Sequence, residues 1–156
     1  MSEVWESETA VAHAECVVRS YLRVTGRELL PSSTGGQDLA RRLFYAPFVV
    51  VSHGTETDPI LNYGNLVALR LWAMPWSEFV CTPSRFTAEP PNREERARLL
   101  ETARRRGFIE DYSGVRIAKT GERFRIERAV VWNLQDEQGR ARGQAATFAE
   151  WTPVGG

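Results

Sequence analysis

Hydrophobic positions first recur at helical spacing. Over Thr9–Thr25, Ala10, Ala14, Val17, Val18 and Tyr21 fall on one stripe, Arg19 and Arg23 lie off it, and Gly26 supplies a stop. Such a segment predicts a helix that packs over an outer sheet face or a partner subunit. Pro31–Gln37 reads as a loop and Asp38–Tyr45 as a short helix. The pattern then tightens into the stretch on which the rest is organised, Phe48–Trp72. Here an apolar strand, Phe48–Val51, a breaker-rich turn, Gly54–Pro59, a short strand, Ile60–Tyr63, and a helix start follow at once. The connection is too short to join parallel strands, so the two form a hairpin. Asn65 is placed to cap the next helix, on which Leu66, Leu69, Trp72 and Ala73 share a face, continued by Trp76; Pro75–Val80 reads as a separate helical turn.

Cys81–Pro91 carries three prolines and resists regular structure. Asn92–Arg106 predicts a helix with an N-x-x-E capping pair at Asn92 and Glu95, a narrow stripe of Ala97, Leu100 and Ala103, and a stop at Gly107. Beyond it the period drops to two. Phe108–Ala118, Arg123–Leu134 and Arg140–Trp151 are strands joined by tight turns at Lys119–Glu122 and Asp136–Gly139, an antiparallel meander. Strict alternation in the middle strand sends Phe124, Ile126, Val130, Trp132 and Leu134 one way, and Arg125, Glu127, Ala129, Val131 and Asn133 the other. The order predicts an α+β domain with a five-stranded antiparallel sheet, helices on one face and an additional N-terminal helix. The strand apolar on both sides implies that its second face is at least partly covered.

Composition narrows this picture little. The chain has 156 residues, 42% of them hydrophobic, with five Trp and seven Phe, which suits one substantial core. A formal net charge of zero removes any overall attraction to nucleic acid or an acidic membrane. The six arginines of Arg93–Arg106 are mixed with three glutamates, and they read as a solvated, salt-bridged face. Two cysteines, Cys16 and Cys81, make no disulfide framework. The acidic N-terminus and the lack of any membrane-length apolar run point to a soluble cytoplasmic protein.

Candidate chemistry is sparse. His53 ends an apolar strand with Glu56 and Asp58 nearby, so it is either a hairpin-holding residue or a ligand donor or base. Ser52 and His53 point to opposite strand faces, which weakens a Ser–His nucleophile pair. Asn62 either reads a ligand's polar edge or satisfies backbone groups, and Arg85 either clamps an anion or forms a surface ion pair. His13 and Cys16 are helix neighbours without a second ligand pair, so no metal site is assigned.

The stretch VVSHGTETDPILNYGNLVALRLWAMPWSEFVCTPSRFTAEP, Val50–Pro90, with GFIEDYSGVRI, AVVWNL and GQAATFAEW downstream, resembles the MEKHLA family, a PAS-related group. Its members occur as small bacterial proteins and as the C-terminal domain of plant homeodomain–leucine-zipper regulators. The resemblance implies a PAS-like domain over 39–152 after an N-terminal helix and loop, 1–38, and a sensory or regulatory role. The plant proteins' homeodomain and zipper are missing from this sequence, so no nucleic-acid partner follows. A PAS-like core is either solid or opens into a ligand cavity; the implied lining is Tyr63, Trp72, Trp76, Phe79, Phe86, Trp132 and Phe148, with His53, Asn62 and Arg85 as polar contacts. No cofactor is assigned. The N-C-R-F core of flavin-binding members is not matched at Cys81–Phe86, and Asn92–Arg106 holds no histidine for haem. Three readings stand: a small-molecule sensor that forms a homodimer through the N-terminal helix or outer sheet face; an interaction module with a solid core; and a small cavity enzyme with His53 as base and Glu56 or Asp58 as its orienter.

Overall fold

Helix α1, Glu8–Thr25, begins where the Ser7 hydroxyl accepts from the Ala10 N–H and ends at Gly26, which takes the left-handed conformation (φ 73°). The computed structural model describes residues 3–31, 35–89 and 93–155. After α1 come α2 (Gly36–Phe44), β1 (Val49–His53), β2 (Leu61–Gly64), α3 (Leu66–Trp72), α4 (Trp76–Phe79), a 3₁₀ turn at Ser84–Thr87 and α5 (Arg93–Arg106). Strands β3 (Phe108–Ile117), β4 (Arg123–Gln135), β5 (Ala141–Phe148) and β6 (Glu150–Pro153) complete the chain. Among the described residues no helix is long and apolar enough to cross a membrane.

The sheet runs β2-β1-β5-β4-β3, every pair antiparallel. The expected hairpin and meander are both present, with β5 inserted beside β1. Strand β6 continues β5 along β4 in one register, since Val130 pairs with Thr147 and Glu127 with Glu150. Between them Ala149 lies opposite Arg128, whose φ is 54°. That left-handed residue, with a compensating irregularity at Asp111 (φ 56°) in β3, resets the alternation of β4. The strict alternation expected for this strand is therefore wrong beyond residue 127. Phe124 and Ile126 share the inner face with Ala129, whereas Trp132 and Leu134 belong to the outer layer.

Two apolar layers result. In the outer layer, α1 and α2 lie over Val50, Trp132, Leu134 and Ala145. Trp132 is fully buried, its indole N–H donating to the Val17 carbonyl at 3.2 Å and its ring meeting Tyr21 edge-on at 4.8 Å. The buried Ser20 hydroxyl donates to the Gln135 carbonyl and accepts from the Gln135 N–H, tying α1 to the end of β4. Of the two placements expected for α1, the structure has the sheet face. In the inner layer, α3 and α4 close over Val49, Leu61, Phe124, Ile126 and Phe148.

Helix α5 forms where expected and stops at Gly107 (φ 84°), but its stripe is only partly buried. Of its stripe Ala103 is buried, but Leu100 is 57% exposed. What holds this helix is its C-terminal end, where Asn133 donates from its side chain to the Ala103 carbonyl and from its backbone to the Gly107 carbonyl. The expected cap at Asn92 lies outside the described residues.

Candidate functional site

The inner layer is not filled. A cavity of about 170 Å³ lies between the inner sheet face and the α3–α4 segment with the 3₁₀ turn. Its apolar wall is Trp72, Phe79, Phe148, Leu61 and Ile126; its polar wall is His53, Gln144, Arg116, Ser84 and Thr87. Local structure dictates which side chains arrive. His53 and Gln144 are register partners on adjacent strands, so both stand on the same face. Gly143, beside Gln144, has φ 120°, and a Cβ there would lie 1.9 Å from the His53 carbonyl oxygen, so glycine alone permits this approach of β5 to β1. The Trp72 indole N–H donates to the Thr87 carbonyl at 3.3 Å, which fastens the 3₁₀ turn over the cavity and leaves the indole face apolar.

Of the residues singled out from sequence, His53, Trp72, Phe79 and Phe148 line this cavity. The others lie elsewhere. Trp132 is beneath α1. Tyr63 pairs with Ser52 across the hairpin and packs in the outer layer, 5.8 Å from the His13 ring and 5.7 Å from Trp76. Trp76 bridges the two layers and meets Phe44 at 6.4 Å. Asn62 accepts from the Ser52 hydroxyl at 2.5 Å. Arg85 forms an exposed ion pair with Asp58 and covers the ring of Phe86, itself 57% exposed. Sequence reasoning missed Gln144 and Arg116. Drawing the Arg140–Trp151 strand beside His53 would have exposed Gln144. Arg116 carries no such signal, because its place in an alternating strand is that of an ordinary outward arginine.

The electrostatics separate the two histidines. His53 Nδ1 lies 2.9 Å from the Gly54 carbonyl oxygen. Its expected orienters are engaged elsewhere: Glu56 accepts from the Ile60 N–H, which holds its carboxyl below the usual range, and Asp58 pairs with Arg85. His13 reaches the outer side of β1, its Nε2 lying 2.8 Å from the Ser52 hydroxyl, and burial lowers its pKa to about 4. Because Ser52 gives its proton to Asn62, His13 is the donor in this pair and not a base acting on Ser52. The Tyr63 phenol is buried without a hydrogen-bond partner among the described residues, and burial pushes its pKa up. Cys16 turns from His13 toward the Gln135 carbonyl, and no group of three or more His, Cys, Asp or Glu side chains able to hold a metal occurs among the described residues.

Solved structures share this architecture. A PAS domain from Colwellia psychrerythraea superposes with a TM-score of 0.61 at 13% identity, over 76% of this chain and 95% of its own. The light-oxygen-voltage (LOV) domain of a blue-light-activated histidine kinase from Erythrobacter litoralis gives 0.53 at 20% identity, over 70% and 98%. A LOV domain structure concerned with a flavin analogue gives 0.56 at 18% identity, over 76% and 85%. These identities establish the PAS-like fold and nothing finer. No curated protein sequence matches the chain.

The residues present do not fit a flavin. About 170 Å³ is close to the ~150 Å³ that accommodates a single benzene ring, well short of three fused rings with a tail. Neither cysteine lines the cavity: Cys81 is exposed and Cys16 lies on α1. The profile of the MEKHLA domain matches residues 11–153, from α1 through β6. With the PAS-like sheet and both of its helical layers inside that match, the chain belongs to the MEKHLA domain family, and its fold is PAS-like.

Proposed function

We propose that this MEKHLA domain senses a small organic molecule in the inner cavity and reports its presence through α1. The observation that carries the reading is the cavity itself, which offers apolar and hydrogen-bonding walls where a solid core would have neither space nor polar groups. Trp72, Phe79 and Phe148 supply the flat surfaces; His53, Gln144 and Arg116 supply the polar contacts. Reporting follows from the pleat of β1, where His53 faces the cavity and its neighbour Ser52 faces His13 on α1. A ligand that favours one position of the β1–β5 pair would shift the population of docked α1. Homodimer formation through α1 would compete with its packing on Trp132 and Leu134, so occupancy and assembly are coupled in this scheme.

Native mass spectrometry of freshly purified protein tests the reading. The expected result is a small-molecule adduct that disappears in Ala146→Phe, which fills the cavity from β5, together with altered hydrogen exchange in α1 on release. A bare polypeptide mass, followed by no stabilisation across a panel of small metabolites, would contradict it. The interaction-module reading would gain instead if the filled variant kept every regulatory property of the wild type.

A further inference from the structure

We infer that Arg116 makes the inner cavity selective for small one-ring carboxylates. This rests on the ligand-sensing reading and names the class of molecule. Arg116 pairs with Phe124 across β3 and β4, which sets its side chain on the inner face, half-buried at the cavity wall. Burying a guanidinium without a counter-charge is costly. Among the described residues Arg116 has no ion pair, and no aspartate or glutamate lines the cavity. Its partners are the adjacent Val115 carbonyl, at 3.3 Å, and the Tyr112 ring, 5.5 Å from the guanidinium carbon. Most of its five N–H donors therefore remain available, in the planar fork that matches a carboxylate.

The surroundings set the rest of the ligand. Trp72, Phe79, Phe148 and Ile126 present apolar surface, and the Trp72 N–H is already taken by Thr87. The volume accommodates one ring and leaves little beyond it. A ring against the aromatic wall with its carboxylate on Arg116 satisfies size, polarity and charge together. Gly114 leaves room for the arginine beside it: a Cβ there would stand 2.8 Å from the Tyr112 hydroxyl and 3.1 Å from Arg116 Nη1, so both flexible ends would have to shift.

The test is an NMR titration of the full chain with benzoate and with its uncharged counterpart benzamide. Benzoate is expected to bind the wild type about ten- to hundredfold more tightly than benzamide, the range of a charge-assisted bidentate contact. Arg116→Gln should remove that preference while retaining benzamide binding. Gly114→Ala keeps the arginine but displaces it, and should weaken benzoate selectively; it serves also if the glutamine variant does not fold. Equal binding of the two probes, unchanged in either variant, would overturn the role of Arg116 and leave the cavity reading standing. Binding of neither probe would overturn the inference, and failure of xenon to enter the cavity as well would take the ligand-sensing reading with it.

Discussion

The Asn65 side chain makes four hydrogen bonds from a fully buried position. It accepts from the Val50 and Ala68 N–H groups and donates to the Leu43 and Phe48 carbonyls, joining α2, β1 and α3. Asn65→Ala would strand several buried backbone groups at once, so it should cost about 2–4 kcal/mol in denaturant unfolding, beyond the ~1 kcal/mol of an ordinary cap. Its capping role is legible in N-Y-G-N, because the partner is three residues away. The other contacts are not, because Leu43, Phe48 and Val50 reach it only through the tertiary fold. His13 supplies a pH test. Its folded pKa, about 4, lies below the ordinary value of 6.5, so the unfolded chain binds the proton more readily. Stability from this group is fully present above pH 6.5 and is lost as pH falls through 6.5 toward 4, a total on the order of 3 kcal/mol. Urea titrations across that range should show a shallower loss in His13→Gln, which keeps a donor for Ser52; parallel wild-type and variant profiles would rule out a buried neutral histidine.

Among the elements, strand β4 departs furthest from its sequence pattern. Alternation is visible in its sequence, but the switch at Arg128 is not, since a non-glycine residue at positive φ leaves no compositional mark. That one torsion moves Trp132 from the expected cavity wall to the outer layer and brings Ala129 inward. Arg128 is exposed, and its ion pair with Glu150 at 3.7 Å is worth little. Arg128→Gly should therefore raise stability by about 0.5–1 kcal/mol, whereas glycine in a regular strand costs a similar amount. A loss of that size in equilibrium unfolding would contradict the left-handed kink. Helix α1 is legible in its stripe and its stop, because Ala14, Val17, Val18 and Tyr21 are all buried on one face, whereas the buried Ser20 and the exposed Leu22 carry no such signal. Tyr21→Ala should cost about 2–4 kcal/mol and shift the Trp132 indole resonance, since the two rings are in edge contact. An unmoved Trp132 signal would mean that α1 does not lie on this face.

Across the whole molecule, one sheet separates an outer layer closed by α1 and α2 from an inner layer that holds a cavity. The order of elements and the antiparallel pairing can be drawn from periodicity, turn residues and connection lengths, and the resemblance to PAS-like domains follows from them and from local wording. Which aromatics face the cavity cannot, because the faces of β2 and β4 depend on irregular pairings at Asn62 and Arg128. The two layers make opposite demands on packing. Trp132, Tyr21 and Ser20 tie α1 down with ring contacts and hydrogen bonds, whereas Trp72 and Thr87 hold a turn across an opening. Small apolar gases and rings enter such spaces in proportion to the void they find. Methyl-resolved NMR under xenon pressure is accordingly the most direct measurement. Saturable shifts at Val51, Ile126, Val131 and Ala146, with Val17, Val50 and Leu134 unmoved, are the predicted result; no saturable shift at the inner methyls, or shifts confined to the outer ones, would contradict a ligand cavity on the inner face.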